Sequence, residues 1–308
     1  MSSGVAGLNL DRVFIKYLEA QYRPSTVYVY RKAVERFVDF MRGRPLSMEN
    51  AMRFIDSLKP GERPVYAYAV RTYLNYSGYE SIARQIPVPR GSYIQMNVQT
   101  WIPWPVIRYI ADHTMSPKLA AMIAVSYDLA LRRTELRMLN RVPMADHPYI
   151  NLSNGKAVVY RLKTRQYPWQ QLWVSKWTLG HLNRYMKTRK DDGEALFVNP
   201  DGERSSSSSI DALVRNRLGT EFGIGDVSVK TFRHSKLTWM AVEGHSLIDI
   251  AKWAGHTTPN PTLTYIHAAE QFRTDPLSSI EFLKGTRIYN TAVKLLEDYA
   301  SHPEGHRL

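Results

Sequence analysis

The sequence predicts a mainly α-helical fold with a small antiparallel β-sheet, arranged as two domains. Three observations predict it. Apolar residues recur at the helical period through most of the chain, most plainly from Val27 to Met41. Between residues 149 and 175, short segments rich in Val, Tyr, Leu and Trp are punctuated by Asn154-Gly155 and Pro168, the mark of strands and turns. The stretch RQIPVPRGSYIQMNVQT (84–100) holds two prolines and a glycine with no helical period, and it reads as a linker between two periodic regions.

Taken in order, the first region, to about residue 84, is all helical. Ser25 is the expected N-cap of a helix whose apolar stripe runs through positions 27, 30, 34, 37, 38 and 41. Lys32, Arg36 and Asp39 lie on its opposite side, and Gly43 with Pro45 ends it. A second helix is expected over 47–58 and a third from about Pro64 to Tyr76. The larger region starts at Trp101, with helices at 104–113 and 117–140. Three strands follow near 149–152, 156–162 and 171–175, then helices at about 176–190, 207–219, 231–243, 246–254 and 262–270. The five serines at 205–209 read as a flexible loop feeding a helix N-cap. From Arg287 an apolar stripe at 288, 292, 295, 296 and 299 predicts one more helix, packed against its own domain or against a neighbouring copy.

Composition narrows the class. A chain of 308 residues with 44% hydrophobic residues has room for two domains with buried cores. No apolar run is long enough to span a bilayer, and MSSGVAGLNLDR lacks the basic-then-apolar order of a signal peptide, so a cytoplasmic protein is expected, nucleoid-associated or carried by a virus or plasmid. The absence of cysteine excludes a disulfide framework and thiolate chemistry. The net charge is +13. It is spread over both regions, with 13 basic against 8 acidic residues in 1–84 and 27 against 20 in 101–308. That is the electrostatic footprint of a nucleic-acid binder.

The spacing of a few side chains points to chemistry. Tyr265 lies nine positions after His256, which lies 23 after Arg233. A phenol preceded by a basic ring and a guanidinium suits attack on a phosphodiester, because the phenol supplies the nucleophile and the cations hold the charge that builds on the phosphorus oxygens. Arg132 sits in a segment otherwise largely apolar (Ile123, Val125, Leu129, Leu131, Leu136, Leu139), so a charge there needs a reason. A planar guanidinium donates two parallel hydrogen bonds to phosphate. His245, His256 and His267 recur every eleven residues, whereas metal ligands on a helix favour spacings of three or four, so no metal is expected. There is no P-loop sequence, and no nucleotide cofactor is expected.

These residues carry a resemblance to the tyrosine recombinases, or phage-type integrases. Ala130-Leu131-Arg132-Arg133-Thr134-Glu135-Leu136 resembles the family's first arginine box. Lys230-Thr231-Phe232-Arg233-His234 resembles its His-x-x-Arg-His box. Gly255-His256, followed nine residues on by Tyr265, matches the third. The likeness runs from about residue 10 to 270. It implies a helical core-binding domain that clamps DNA (1–84), a linker (85–100), a tyrosine-recombinase catalytic domain (101–285) and a helical tail (286–308). It further implies a 3′-phosphotyrosine intermediate formed by Tyr265, with Arg132 and Arg233 on the scissile phosphate and His256 donating to it. By the same likeness Lys163, on the β-hairpin, is the general acid, with Lys156 and Arg165 as competitors. Lys230 departs from the family's histidine. Because lysine is ordinarily protonated at neutral pH, it is a poor base and a better electrostatic stabiliser, and Glu135 is expected to share the face of Arg132 and to orient Lys230. Arg31, Lys32, Arg36, Arg71, Arg133 and Arg165 are expected on double-stranded DNA. The resemblance implies a homo-tetramer on two recombination sites, with a C-terminal helix docking on a neighbouring copy, and no cofactor. A catalytically silent DNA-binding protein on the same fold and a type IB topoisomerase are the alternatives.

Overall fold

The computed structural model describes residues 12–88, 100–162, 164, 168–258 and 260–302. Two compact units divide the chain at Gln95/Met96. Residues 89–99, most of the expected linker, lie outside the described residues.

The first unit holds five helices among its described residues: α1 (Arg12–Gln21), α2 (Pro24–Met41), α3 (Met48–Ser57), α4 (Arg63–Tyr76) and α5 (Glu80–Gln85). Helix α2 begins two residues earlier than Ser25 would cap it, because Pro24 occupies the first turn, where its missing N–H costs nothing. The Arg23 carbonyl instead accepts from the amides of Thr26 and Val27. Ser47 caps α3, accepting from the Asn50 amide at 3.2 Å. The apolar stripes of these helices meet in a core around Phe14, Leu18, Phe37, Phe54 and Tyr73, where each large side chain contributes roughly 1.5–3 kcal/mol by leaving water.

The second unit is built on α6 (Trp104–His113) and α7 (Pro117–Asp128), followed by the short α8 (Arg133–Met138). The sequence predicts one helix over 117–140, but two are found. Ala130 adopts a left-handed backbone, φ +47°, and breaks the helix between them. A β-carbon in that region costs on the order of 1–3 kcal/mol, and the break frees the Leu129 and Ala130 carbonyls, which accept from arginines. Strands β1 (Tyr149–Ile150), β2 (Lys156–Tyr160) and β3 (Trp169–Trp173) form an antiparallel sheet in the order β1-β2-β3, with Tyr149 opposite Val158 and Ala157 opposite Leu172. Along β2, Ala157 and Val159 face the core.

Helices α9 (Lys176–Met186), α10 (Ser207–Phe222), α11 (Val229–Val242), α12 (Leu247–Ala254) and α13 (Asn260–Thr274) complete the unit, followed by a 3-10 helix (Pro276–Leu283) and α14 (Tyr289–Ser301). Three of the serines expected in a loop form the first turn of α10, and Ser206 caps it by accepting from the Ser209 amide. The stripe predicted after Arg287 packs on its own unit. Ile288, Ala292 and Leu296 are buried in the main core, and the Tyr299 ring lies 5.0 Å from that of Trp239. No helix among the described residues is long and apolar enough to cross a membrane.

Candidate active site

Helix α11 supplies the most buried cation of the expected set. It runs through the interior of its unit, and Arg233 is 4% exposed. Its guanidinium donates to the Ala130 carbonyl, to the Ala254 carbonyl at 2.7 Å and to His256 Nε2 at 3.3 Å. Burial, with the Arg132 and Arg161 charges beside it, pushes its pKa down to about 9, so it remains a cation at neutral pH. Arg132 precedes α8. Its guanidinium pairs with the Glu135 carboxylate at 2.7 Å, and its backbone amide donates to the same carboxylate at 3.0 Å. Burial alone would raise the Glu135 pKa, but the Arg161 and Arg132 charges outweigh it and hold the carboxyl below its usual range.

Arg161, just past β2, is 1% exposed and engages all five of its donors inside the protein. Nε donates to Gln170 Oε1 at 2.7 Å. Nη1 donates to Glu135 Oε2 at 3.1 Å and the Ala130 carbonyl at 3.4 Å, and Nη2 to the carbonyls of Leu129 at 3.0 Å and Trp253 at 2.7 Å.

The C-terminus of α12 enters the site. A helix leaves its last four carbonyls without intrahelical partners. Here the Lys252, Trp253, Ala254 and Gly255 carbonyls accept from Gln170, Arg161, Arg233 and Thr164 respectively. Two of those four donors are guanidiniums, which also suit the negative end of the helix dipole. Gly255 closes the helix at φ +63°, and a β-carbon there would stand 2.8 Å from Arg161 Cγ. The next residue, His256, is thereby delivered to Arg233.

A guanidinium only donates, so the contact with Arg233 makes His256 Nε2 an acceptor. Its proton then sits on Nδ1, directed at Thr262 Oγ1 at 2.8 Å. Burial and the surrounding arginines push the His256 pKa down to about 4. Tyr265, from α13, is 6% exposed and its ring stacks on His256 at 6.3 Å. Its hydroxyl lies 3.0 Å from His234 Nδ1. Burial raises the phenol pKa, and the Arg233 and Arg132 charges oppose that rise. The His234 ring, held down to about 3 by burial and by the charges of Lys230 and Arg233, is neutral.

The structure brings Arg132, Arg233, His256, Tyr265 and Glu135 together. One expectation changes. Lys230 is exposed in the first turn of α11, and Glu135 does not orient it, since that carboxylate holds Arg132, Arg161 and the Leu162 amide. Lys163 and Arg165 lie outside the described residues. Of the residues expected on DNA, Arg133 pairs with Asp211, Arg31 with Glu35 at 2.8 Å, and Arg36 with the Tyr66 hydroxyl at 3.0 Å. Lys32 stands 4.8 Å over the Tyr28 ring and Arg71 is half-buried. Sequence reading missed Arg161 and Thr262, and it set His234 aside. Arg161 had a signal, because it continues the inward alternation of Ala157 and Val159 and so places a cation on a buried face.

Residues 106–271 match the phage integrase family. The chain is 24% identical over 262 residues to a tyrosine recombinase XerA of Pyrococcus horikoshii, covering 82% of this chain and 86% of that one. It is 27% identical over 153 residues to a tyrosine recombinase XerC of Chlamydia trachomatis, covering 49% of this chain and 47% of that one. Among solved structures, a Tn1549 transposon integrase in complex with transposon right end DNA superposes with a TM-score of 0.62 at 14% identity, covering 85% of this chain and 98% of that one. A XerH site-specific recombinase bound to its palindromic difH substrate gives 0.60 at 15% identity, covering 82% and 79%. The match extends over more than half of the sequence and takes in every box of the site: the chain belongs to the phage integrase family, the tyrosine recombinases, and is a site-specific recombinase that breaks and rejoins DNA strands.

Proposed function

We propose that Tyr265 is the nucleophile and that Arg132, Arg233 and His256 bind the scissile phosphate. The phenol gives its proton to the His234 ring nitrogen 3.0 Å away as its oxygen bonds to phosphorus, the bond from phosphorus to the 5′-oxygen breaks, and the 3′-phosphotyrosine keeps the energy of the ester for rejoining. Lys163 gives a proton to the leaving 5′-oxygen. Attack adds a second negative charge to the phosphate oxygens, and Arg132 and Arg233 answer it with fixed donors at little reorganisation cost. Lys230, at the exposed rim, adds positive field to the phenol and phosphate without acting as a base. The observation that carries this reading is the meeting of Arg233 from α11, His256 from the turn after α12 and Tyr265 from α13, with the Arg132 charge bearing on all three.

The substrate is double-stranded DNA carrying a recombination site, held by both units, and the working assembly is a homo-tetramer on two sites that cuts one strand of each at a time. The excess of basic residues in both regions supports DNA binding, as do the DNA complexes of the neighbouring recombinases. The face of α14 that the sequence offers for docking is already covered in the single chain. Integration or excision of a mobile element and resolution of dimers both fit this chemistry. The test is a nicked duplex that the protein has itself selected from a randomised pool, since a nick traps the covalent adduct. An adduct from wild type that is lost in Tyr265→Phe, seen on a denaturing gel, supports the assignment. Its survival in Tyr265→Phe places the nucleophile elsewhere, and no adduct despite binding favours a silent DNA-binding protein.

A further inference from the structure

We infer that Arg161 is a positioning residue for the phosphate site, the joint that sets Arg132 and His256 at a fixed separation. The inference rests on the reading of Arg132, Arg233 and His256 as the phosphate-binding groups. With every donor engaged, Arg161 has none left for a ligand, so it acts only through what it holds. One edge of the fork takes the Leu129 and Ala130 carbonyls, the turn that leads directly into Arg132. It also takes the Glu135 oxygen that accepts from the Arg132 amide, while the other oxygen of the same carboxylate takes the Arg132 guanidinium. A second edge takes the Trp253 carbonyl, three residues before His256. Nε takes Gln170, which reaches on to the Lys252 carbonyl. Two loops 124 residues apart in sequence, at Leu129 and Trp253, therefore meet on one guanidinium.

Arg233 repeats the pattern one step along, taking Ala130 on one side and Ala254 on the other. The two arginines share the Ala130 carbonyl and take adjacent carbonyls of α12. Arg233 keeps donors for the phosphate, and Arg161 keeps none. Gly255 belongs to the same joint, because its bare α-carbon lets the Arg161 stem pass where a β-carbon would collide. A lysine in place of Arg161 keeps the charge and loses the fork. A single ammonium on a flexible stem cannot hold both loops at once.

The test measures adduct formation on the selected nicked duplex at saturating protein, together with affinity for the same duplex. Arg161→Lys and Arg161→Gln are made alone and in an Arg132→Lys background. A displacement of about 1 Å between reacting groups costs on the order of 100-fold in rate. Each single substitution is therefore expected to slow adduct formation by about that factor, with duplex affinity unchanged. In the Arg132→Lys background the further loss shrinks to a few-fold, because the group being positioned is already gone. Three results overturn the inference: wild-type rates in the Arg161 variants, full multiplicative losses in the Arg132→Lys background, or loss of duplex binding in proportion to loss of adduct, which makes Arg161 a stability residue. If wild type itself forms no adduct, the phosphate-site reading fails first.

Discussion

At the scale of single residues, the protonation of the two histidines decides what the site can do. A neutral His256 that accepts from Arg233 at Nε2 has its only proton turned toward Thr262. To donate to a phosphate oxygen it must gain a second proton or shift the one it has, and an arriving phosphate supplies the negative charge that favours gaining one. Substituting His256→Asn is expected to slow adduct formation by about 100- to 1,000-fold while leaving duplex affinity intact; equal losses in affinity would show that the ring serves binding rather than the reaction. The same burial links stability to pH. The folded pKa values of about 4 for His256 and about 3 for His234 lie below the ordinary 6.5 of imidazole. From pH 6.5 downward the unfolded chain binds protons that the folded one refuses, so stability is full above 6.5 and falls as the pH drops, by an amount on the order of 3 kcal/mol per ring at pH 4. Thermal melts from pH 7 to 4.5 should show it, and His234→Asn should flatten the slope; an unaltered slope in that variant would mean the His234 ring is not buried neutral. That Arg132, Arg233, His256 and Tyr265 meet was legible because their spacing along the chain matches the boxes of the family. For Arg161 the strand alternation placed a cation on a buried face but not what it holds, since three of its partners are backbone carbonyls, which every residue has and no motif reveals.

At the scale of elements, the candidate active site gathers the C-terminus of α12, the start of α8, the end of β2 and the inner faces of α11 and α13. Periodicity located the helices because a buried stripe has to repeat at the helical period. It ran α7 and α8 together, since the break between them at Ala130 goes with a carbonyl that accepts from Arg161 and Arg233, a tertiary contact with no local signature. Strand β3 begins at Trp169, earlier than expected, because pairing with β2 extends to the end of the hairpin and Tyr160 takes Trp169 as its partner. Helix α14 was predicted from its stripe, and its own unit covers it. The C-terminus of α12 is the element most exposed to a single change. Gly255→Ala brings a β-carbon against the Arg161 stem and a left-handed backbone strain. It is expected to cost about 1–3 kcal/mol, read as a lower midpoint in urea unfolding, and to slow adduct formation as well. A variant as stable as wild type would mean that the joint yields.

At the scale of the whole molecule, the charge of +13 is carried by both regions of the chain. Affinity for duplex DNA is therefore expected to fall with added salt at a slope of about −0.9 per phosphate neutralised, and a flat response would count against DNA clamping. The main core of the second unit takes in residues from Trp101 to Leu296. Leu296→Ala should destabilise the unit by about 2–5 kcal/mol, measured by chemical unfolding, and a loss below 1 kcal/mol would mean that α14 is only loosely seated. That seating has a consequence for assembly. A helix whose apolar face is already dry brings no fresh hydrophobic surface to a neighbour, so docking it on a second copy would first require it to leave its own unit and return Ile288, Ala292 and Leu296 to water.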